Sequence, residues 1–97
     1  MRVVFSPEAE ADLADAFDWY NRQAPGLGTR FLNEYEAALD RIAANPRQFS
    51  VLHRETRRAG FHHFPFGLFF RVRPDEIEVF ACLHASRDPL HWRRRRQ

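Results

Sequence analysis

The run Leu68-Phe69-Phe70-Arg71-Val72-Arg73-Pro74-Asp75-Glu76-Ile77-Glu78-Val79-Phe80-Ala81-Cys82-Leu83-His84 decides the fold. Leu68, Phe70 and Val72 alternate with Phe69, Arg71 and Arg73. Beyond Pro74-Asp75, Ile77, Val79, Ala81 and Leu83 alternate with Glu76, Glu78, Phe80, Cys82 and His84. A period of two marks strands with two unlike faces, and the Pro-Asp break between them marks a β-hairpin. Folding about that break sets Arg73 opposite Glu76, Arg71 opposite Glu78 and Phe69 opposite Phe80. On the other face Val72 meets Ile77 and Phe70 meets Val79. Charge meets charge and apolar meets apolar, so the register supports itself. Proline cannot adopt the positive φ of a type I′ turn, so a slightly longer loop built on a type I turn is expected. One face of the hairpin is apolar and needs a cover; the other is mixed.

The cover lies upstream. Val3-Val4-Phe5 reads as a short strand that stops at Ser6-Pro7-Glu8, where Ser6 can cap a helix, Pro7 suits its first turn, and Glu8, Glu10 and Asp12 sit near its positive end. Ala9, Leu13, Ala16, Phe17 and Tyr20 recur at helical spacing, with Asp12, Asp15 and Asp18 on the wet side. Pro25-Gly26 ends this helix near Ala24. A second starts at about Leu27 or Thr29, with Phe31, Tyr35, Ala38, Leu39 and Ile42 as its stripe and Glu34, Glu36, Asp40 and Arg41 outside; Asn45-Pro46 ends it. Two such helices joined by a tight turn form an antiparallel hairpin. Phe49 to Arg58 reads as a connector running into a short strand that continues irregularly to Phe64, with Phe61, Phe64 and Phe66 as core or sheet-edge packing. Asp88-Pro89 starts a short terminal helix through Trp92, and Arg93 to Arg96 form a mobile basic tail. The expected fold is α+β: an N-terminal strand, an antiparallel helical hairpin packed on an antiparallel β-sheet, and a short C-terminal helix.

Ninety-seven residues suit one domain, 1–97, with a single modest core. No run of about 18 apolar residues exists to span a bilayer, and Met1 to Pro7 is too short an apolar run for a signal peptide. The lone cysteine, Cys82, has no internal partner, and no Cys/His spacing suggests zinc. A reduced, cytoplasmic domain without metal or cofactor is expected. All 15 basic residues are arginine. Residues 1–46 carry 4 Arg against 8 carboxylates; residues 47–97 carry 11 Arg against 5, and all five histidines. That asymmetry points the later half toward an anionic partner.

The chain resembles the RelE/ParE superfamily of toxins from bacterial type II toxin–antitoxin systems. The resemblance rests on Val4-Phe5-Ser6-Pro7-Glu8-Ala9-Glu10-Ala11-Asp12-Leu13, on Asn45-Pro46 followed by Phe49, and on Phe64-Pro65-Phe66 leading into Leu68-Phe69-Phe70-Arg71-Val72. It is completed by Leu83-His84-Ala85-Ser86-Arg87-Asp88-Pro89-Leu90-His91-Trp92, similar to the family's His-x-x-Arg-Asp-Pro-x-x-Trp ending. The resemblance implies one of two activities. RelE-like members are ribosome-dependent mRNA endonucleases; ParE-like members inhibit DNA gyrase by binding. A third possibility is an inactive or repurposed interaction module. In every active case a cognate antitoxin with an acidic C-terminal segment is implied as partner.

Cleaving RNA through its own 2′-hydroxyl needs a base, an acid and cations for the developing phosphate charge. Arginine supplies only the last, and no lysine is present. Where nuclease members begin a strand Tyr-Arg-Leu, this chain has Phe66-Gly67-Leu68, so Gly67 replaces the phosphate-contacting arginine. Where they end in a tyrosine or histidine, it has His91 or Trp92. The expectation is therefore a ParE-like toxin; were it a nuclease, His84, Arg87 and His91 would be the catalytic candidates. For binding antitoxin or target, the candidates are Arg57, Arg58, Phe69, Arg71, Phe80, His84, Arg87, Trp92 and Arg93. Phe69 and Phe80 are expected as exposed anchors on the mixed face.

Overall fold

A computed structural model describes residues 1–86 and 90–95, the side chains of Leu90 and His91 excepted. The elements run β1 (Arg2–Phe5), α1 (Pro7–Gln23), α2 (Leu27–Ala44), a 3₁₀ turn (Pro46–Gln48), β2 (Val51–His53), β3 (Thr56–Gly60), β4 (Phe66–Val72), β5 (Glu76–His84) and α3 (Leu90–Arg95). The strands form one sheet in the order β1-β5-β4-β3-β2. The sheet is mixed rather than wholly antiparallel, because β1 joins β5 in parallel at one edge. Its opposite edge is β2, which pairs irregularly with β3 and makes a separate strand of what the sequence suggested was a connector.

Local signals place the helices. The Ser6 hydroxyl accepts the Ala9 N–H at 3.1 Å, and Pro7 stands at the start of α1. Between the helices Gly26 holds φ at +82°, a conformation that costs a side-chain-bearing residue and lets α2 turn back at once. The hairpin lies on one face of the sheet. There Phe31, Ile42, Leu68, Phe70, Ile77 and Val79 are sealed from solvent. Tyr20 stacks on Phe31 with centroids 5.2 Å apart, and Phe64 meets both rings edge-on at 4.9 and 5.4 Å.

The β4–β5 register follows expectation near the turn and departs beyond it. Val72 faces Ile77, Arg71 faces Glu78 and Phe70 faces Val79, and the Arg73 N–H closes the loop by donating to the Glu76 carbonyl at 2.8 Å. Phe69, however, faces Ala81, not Phe80, so Phe80 is the extra residue of a β-bulge. A single inserted residue reverses the alternation. Cys82, expected on the mixed face, joins the main core, whereas Ala81 and Leu83 turn to the other side with Phe69 and Phe80.

Two acids expected in water are instead used as ties. Asp12 accepts the backbone N–H of Cys82 at 3.0 Å, linking α1 to β5. Glu34 of α2 accepts the backbone N–H groups of His62 and His63 at 2.7 and 3.1 Å, and its second oxygen meets His63 Nδ1 at 2.7 Å. The loop between β3 and β4 is thereby pinned to the helical layer. The His63 ring bond, assisted by the two amides, lowers the Glu34 pKa from 4.5 to about 2. A carboxyl lowered on folding contributes stability above its unfolded pKa and loses it as pH falls through the folded one. Glu34→Gln should therefore destabilise the domain at neutral pH by about 1–2 kcal/mol. Urea unfolding of this variant should also be less pH-dependent between pH 4.5 and 2 than that of wild type. Parallel pH profiles would contradict the tie.

Candidate functional site

The bulge leaves β5 with apolar side chains on the face away from α1 and α2, and α3 covers part of that face. Trp92, 5% exposed, stacks on Phe69 with centroids 5.1 Å apart and planes 23° from parallel. Phe80, Ala81 and Leu83 complete a second small core around them. His53 meets the Trp92 ring at 6.2 Å. At the end of α3, Arg95 grips both Asp12 oxygens, at 2.5 and 3.1 Å, and that carboxylate raises the arginine's pKa. A six-residue helix is not stable alone; the ring stack and the ion pair hold it down. Phe69 and Phe80, expected as exposed anchors, are 6% and 3% exposed for this reason. Arg93 to Arg95, expected as a free tail, form the last turn of the helix.

Beside α3 a groove of about 320 Å³ remains, lined by Leu52, Arg58, Phe69, Leu83, His84, Ala85, Trp92 and Arg93. Two guanidinium groups stand in it, each against a ring: Arg58 with its Cζ 5.9 Å from the Phe69 centroid, Arg93 with its Cζ 5.4 Å from that of Trp92. Neither has a carboxylate partner among the described residues. The Arg93 Nε is buried and likewise unbonded among them. Leu52, 49% exposed, supplies an aliphatic rim from the edge strand.

His84 is exposed at the groove's end. Its Nδ1 accepts the Ser86 N–H at 3.0 Å and lies 2.8 Å from the Ser86 hydroxyl, while its ring sits edge-on to Phe66 at 5.4 Å. An Nδ1 that accepts from the backbone leaves the ring proton on Nε2, so this histidine first of all fixes the exit from β5.

Of the residues singled out in the sequence, the structure gathers Arg58, Phe69, His84, Trp92 and Arg93 in one groove, with Phe80 beneath it. Others are elsewhere or already engaged. Arg57 faces Phe70 in the register, toward the helical layer, and donates to the Phe49 carbonyl at 2.5 Å. Arg71 pairs with Glu55 at 3.1 Å and Arg73 with Glu78 at 2.8 Å, instead of Glu78 and Glu76; Glu76 is taken by Arg2 at 3.0 Å. Long side chains reach past the residue directly opposite, so backbone register does not fix ion pairing. Arg87, the Asp88-Pro89 start and Arg96 lie outside the described residues, as does the His91 side chain. Leu52, Leu83 and Ala85 are not legible as site residues: the strand carrying Leu52 is only three residues long, and the bulge turns Leu83 away from the face its alternation suggests. Among the described residues no group of three or more His, Cys, Asp or Glu is placed to hold a metal ion. Nor is any helix long and apolar enough to cross a membrane.

Comparison with known proteins converges on one family. Residues 3–89 match the model of the ParE toxin of type II toxin–antitoxin systems. The chain is 34% identical over 92 residues to Toxin ParE1 of Mycobacterium tuberculosis, in both strain CDC 1551 / Oshkosh and strain H37Rv, across 90% of this chain and 92% of the relative. Among solved structures, one of the chromosomal ParDE system from P. aeruginosa shares the fold, with a TM-score of 0.76 and 19% identity over 87% of this chain and 95% of that one.

If Trp92 is what seals the second core, Trp92→Ala should release α3 and lower stability by about 3 kcal/mol. It should also bring a clear rise in fluorescence of a dye that binds apolar surface. Unchanged dye binding would show that the face is sealed by something other than this ring.

Proposed function

Since the chain belongs to the ParE toxin family of type II toxin–antitoxin systems, we propose that it arrests growth by binding DNA gyrase, and that an antitoxin with an acidic C-terminal segment silences it. The antitoxin segment lies along the groove and reaches over the helical hairpin. One observation supports this reading above others: two ring-backed guanidiniums, Arg58 and Arg93, flank a partly apolar groove and have no carboxylate partner among the described residues. Such a surface suits an amphipathic acidic segment that orders as it binds, with side chains filling the groove and backbone free to extend the β2 edge. The single cysteine is buried and its pKa is pushed up to about 12 by desolvation, which makes it an inert packing group suited to a reducing cytoplasm.

The endonuclease alternative asks more of the groove than its described residues supply. An acid and a base would have to flank the cations. His84 has its Nδ1 committed to Ser86, and the Trp92 indole exchanges no proton. Gly67 stands where the nuclease-type arginine would be. Binding without bond cleavage is the chemistry that a cation pair and an apolar rim perform best.

Induced expression should stop growth and raise DNA-damage signalling, and co-expression of the neighbouring gene should restore growth. Purified protein should inhibit gyrase supercoiling in vitro. It should leave mRNA on programmed ribosomes uncut. Cleavage in the ribosomal A site that His84→Ala abolishes would establish the endonuclease instead, and harmless overexpression would establish an inactive module.

A further inference from the structure

Gly60 and Gly67 are directly opposite one another in the β3–β4 ladder. Two facing glycines weaken a sheet, since each lacks a side chain to pack and loses more backbone freedom on folding than other residues. Conformation does not require them, since Gly26 is the one glycine with positive φ. Space does. A Cβ on Gly67 would stand 2.5 Å from Arg58 Nε and 2.6 Å from its Cζ, and a Cβ on Gly60 would stand 2.9 Å from its Nη1. The guanidinium of Arg58 therefore occupies the volume of the two missing side chains, with the Phe69 ring 5.9 Å from its Cζ.

We propose that Gly60 and Gly67 form a socket that presses the Arg58 guanidinium against the sheet, making it a preset receptor for a peptide carboxylate flanked by an apolar side chain. The proposal rests on the reading that the groove takes an acidic segment, and it names the residue that reads the charge. An arginine normally surrenders much rotamer freedom when it binds a carboxylate. Here the fold has already imposed that order, so the donor fork meets its ligand with little left to lose. The ligand is a peptide and not a nucleic acid because of the rings. Phe69 and Trp92 stack on each other and are nearly closed to solvent, so neither offers a face to a base. What the rim exposes is aliphatic: Leu52, at 49%.

The test uses the full chain and a short fluorescein-labelled peptide of alternating glutamate and leucine, followed by fluorescence anisotropy at fixed salt. Wild type should bind it. Gly67→Ala and Arg58→Ala should each weaken binding about tenfold or more, and the double variant should be no weaker than Arg58→Ala, because the glycine acts only through the arginine. Should Gly67→Ala lose its circular dichroism signature, Gly60→Ala asks the same question with a milder clash. Wild-type affinity in the glycine variants, additive losses in the double variant, or tighter binding of labelled oligothymidylate than of the peptide would each overturn the socket. The antitoxin reading fails separately: it is lost if wild type forms no complex with the product of the neighbouring gene. If that complex forms and is equally tight with Gly67→Ala, only the socket is lost.

Discussion

A bulge at Phe80 sets which side chains of β5 face each of its two covers, and much of the molecule answers to that. Before the bulge, Ile77 and Val79 face the helical hairpin; after it, Cys82 does, and Ala81 and Leu83 point the other way with Phe80. Burying a large apolar side chain is worth about 1.5–3 kcal/mol, so an uncovered second face would be a serious loss. The chain covers part of it with α3. Trp92 supplies the packing and Arg95 supplies the latch, on the same Asp12 carboxylate that already receives the Cys82 amide. What α3 leaves uncovered is the groove.

Several arginines are already matched among the described residues. Arg2, Arg71, Arg73 and Arg95 are matched to carboxylates, and Arg57 to a carbonyl. Solvent screens most of these pairs, so each contributes little on its own. The Arg95–Asp12 pair differs from the rest in holding α3 to α1. Arg58 and Arg93 are different: each has a ring behind it, no carboxylate partner among the described residues, and an opening toward the groove. That opening lies on the sheet face that α3 half covers.

Much of this was legible in the chain. The caps at Ser6-Pro7, the breaks at Pro25-Gly26 and Asn45-Pro46, and the alternation around Pro74-Asp75 are local signals, and the elements they mark form as expected. The bulge was hidden because Val79-Phe80-Ala81-Cys82-Leu83 is apolar throughout, so either phase of the strand satisfies the pattern. Asp12 reads as a solvated helix acid because its partners, Cys82 and Arg95, are remote in sequence. Glu34 is the same case with His62 and His63. Of the candidate site residues, Arg58, Phe69, His84, Trp92 and Arg93 share one groove, whereas Arg57 differs from Arg58 by which side of a short strand it faces. Gly67 was readable as a missing arginine, but its use as space for a neighbouring one depends on the pairing of β3 with β4.

The proposed antitoxin site is the face left beside α3. Hydrogen–deuterium exchange of the chain alone and in complex with the product of the neighbouring gene tests it most directly. Amides of residues 51–58, 83–86 and 92–95 should slow on complex formation. Unchanged exchange across those three segments in an intact complex would contradict it.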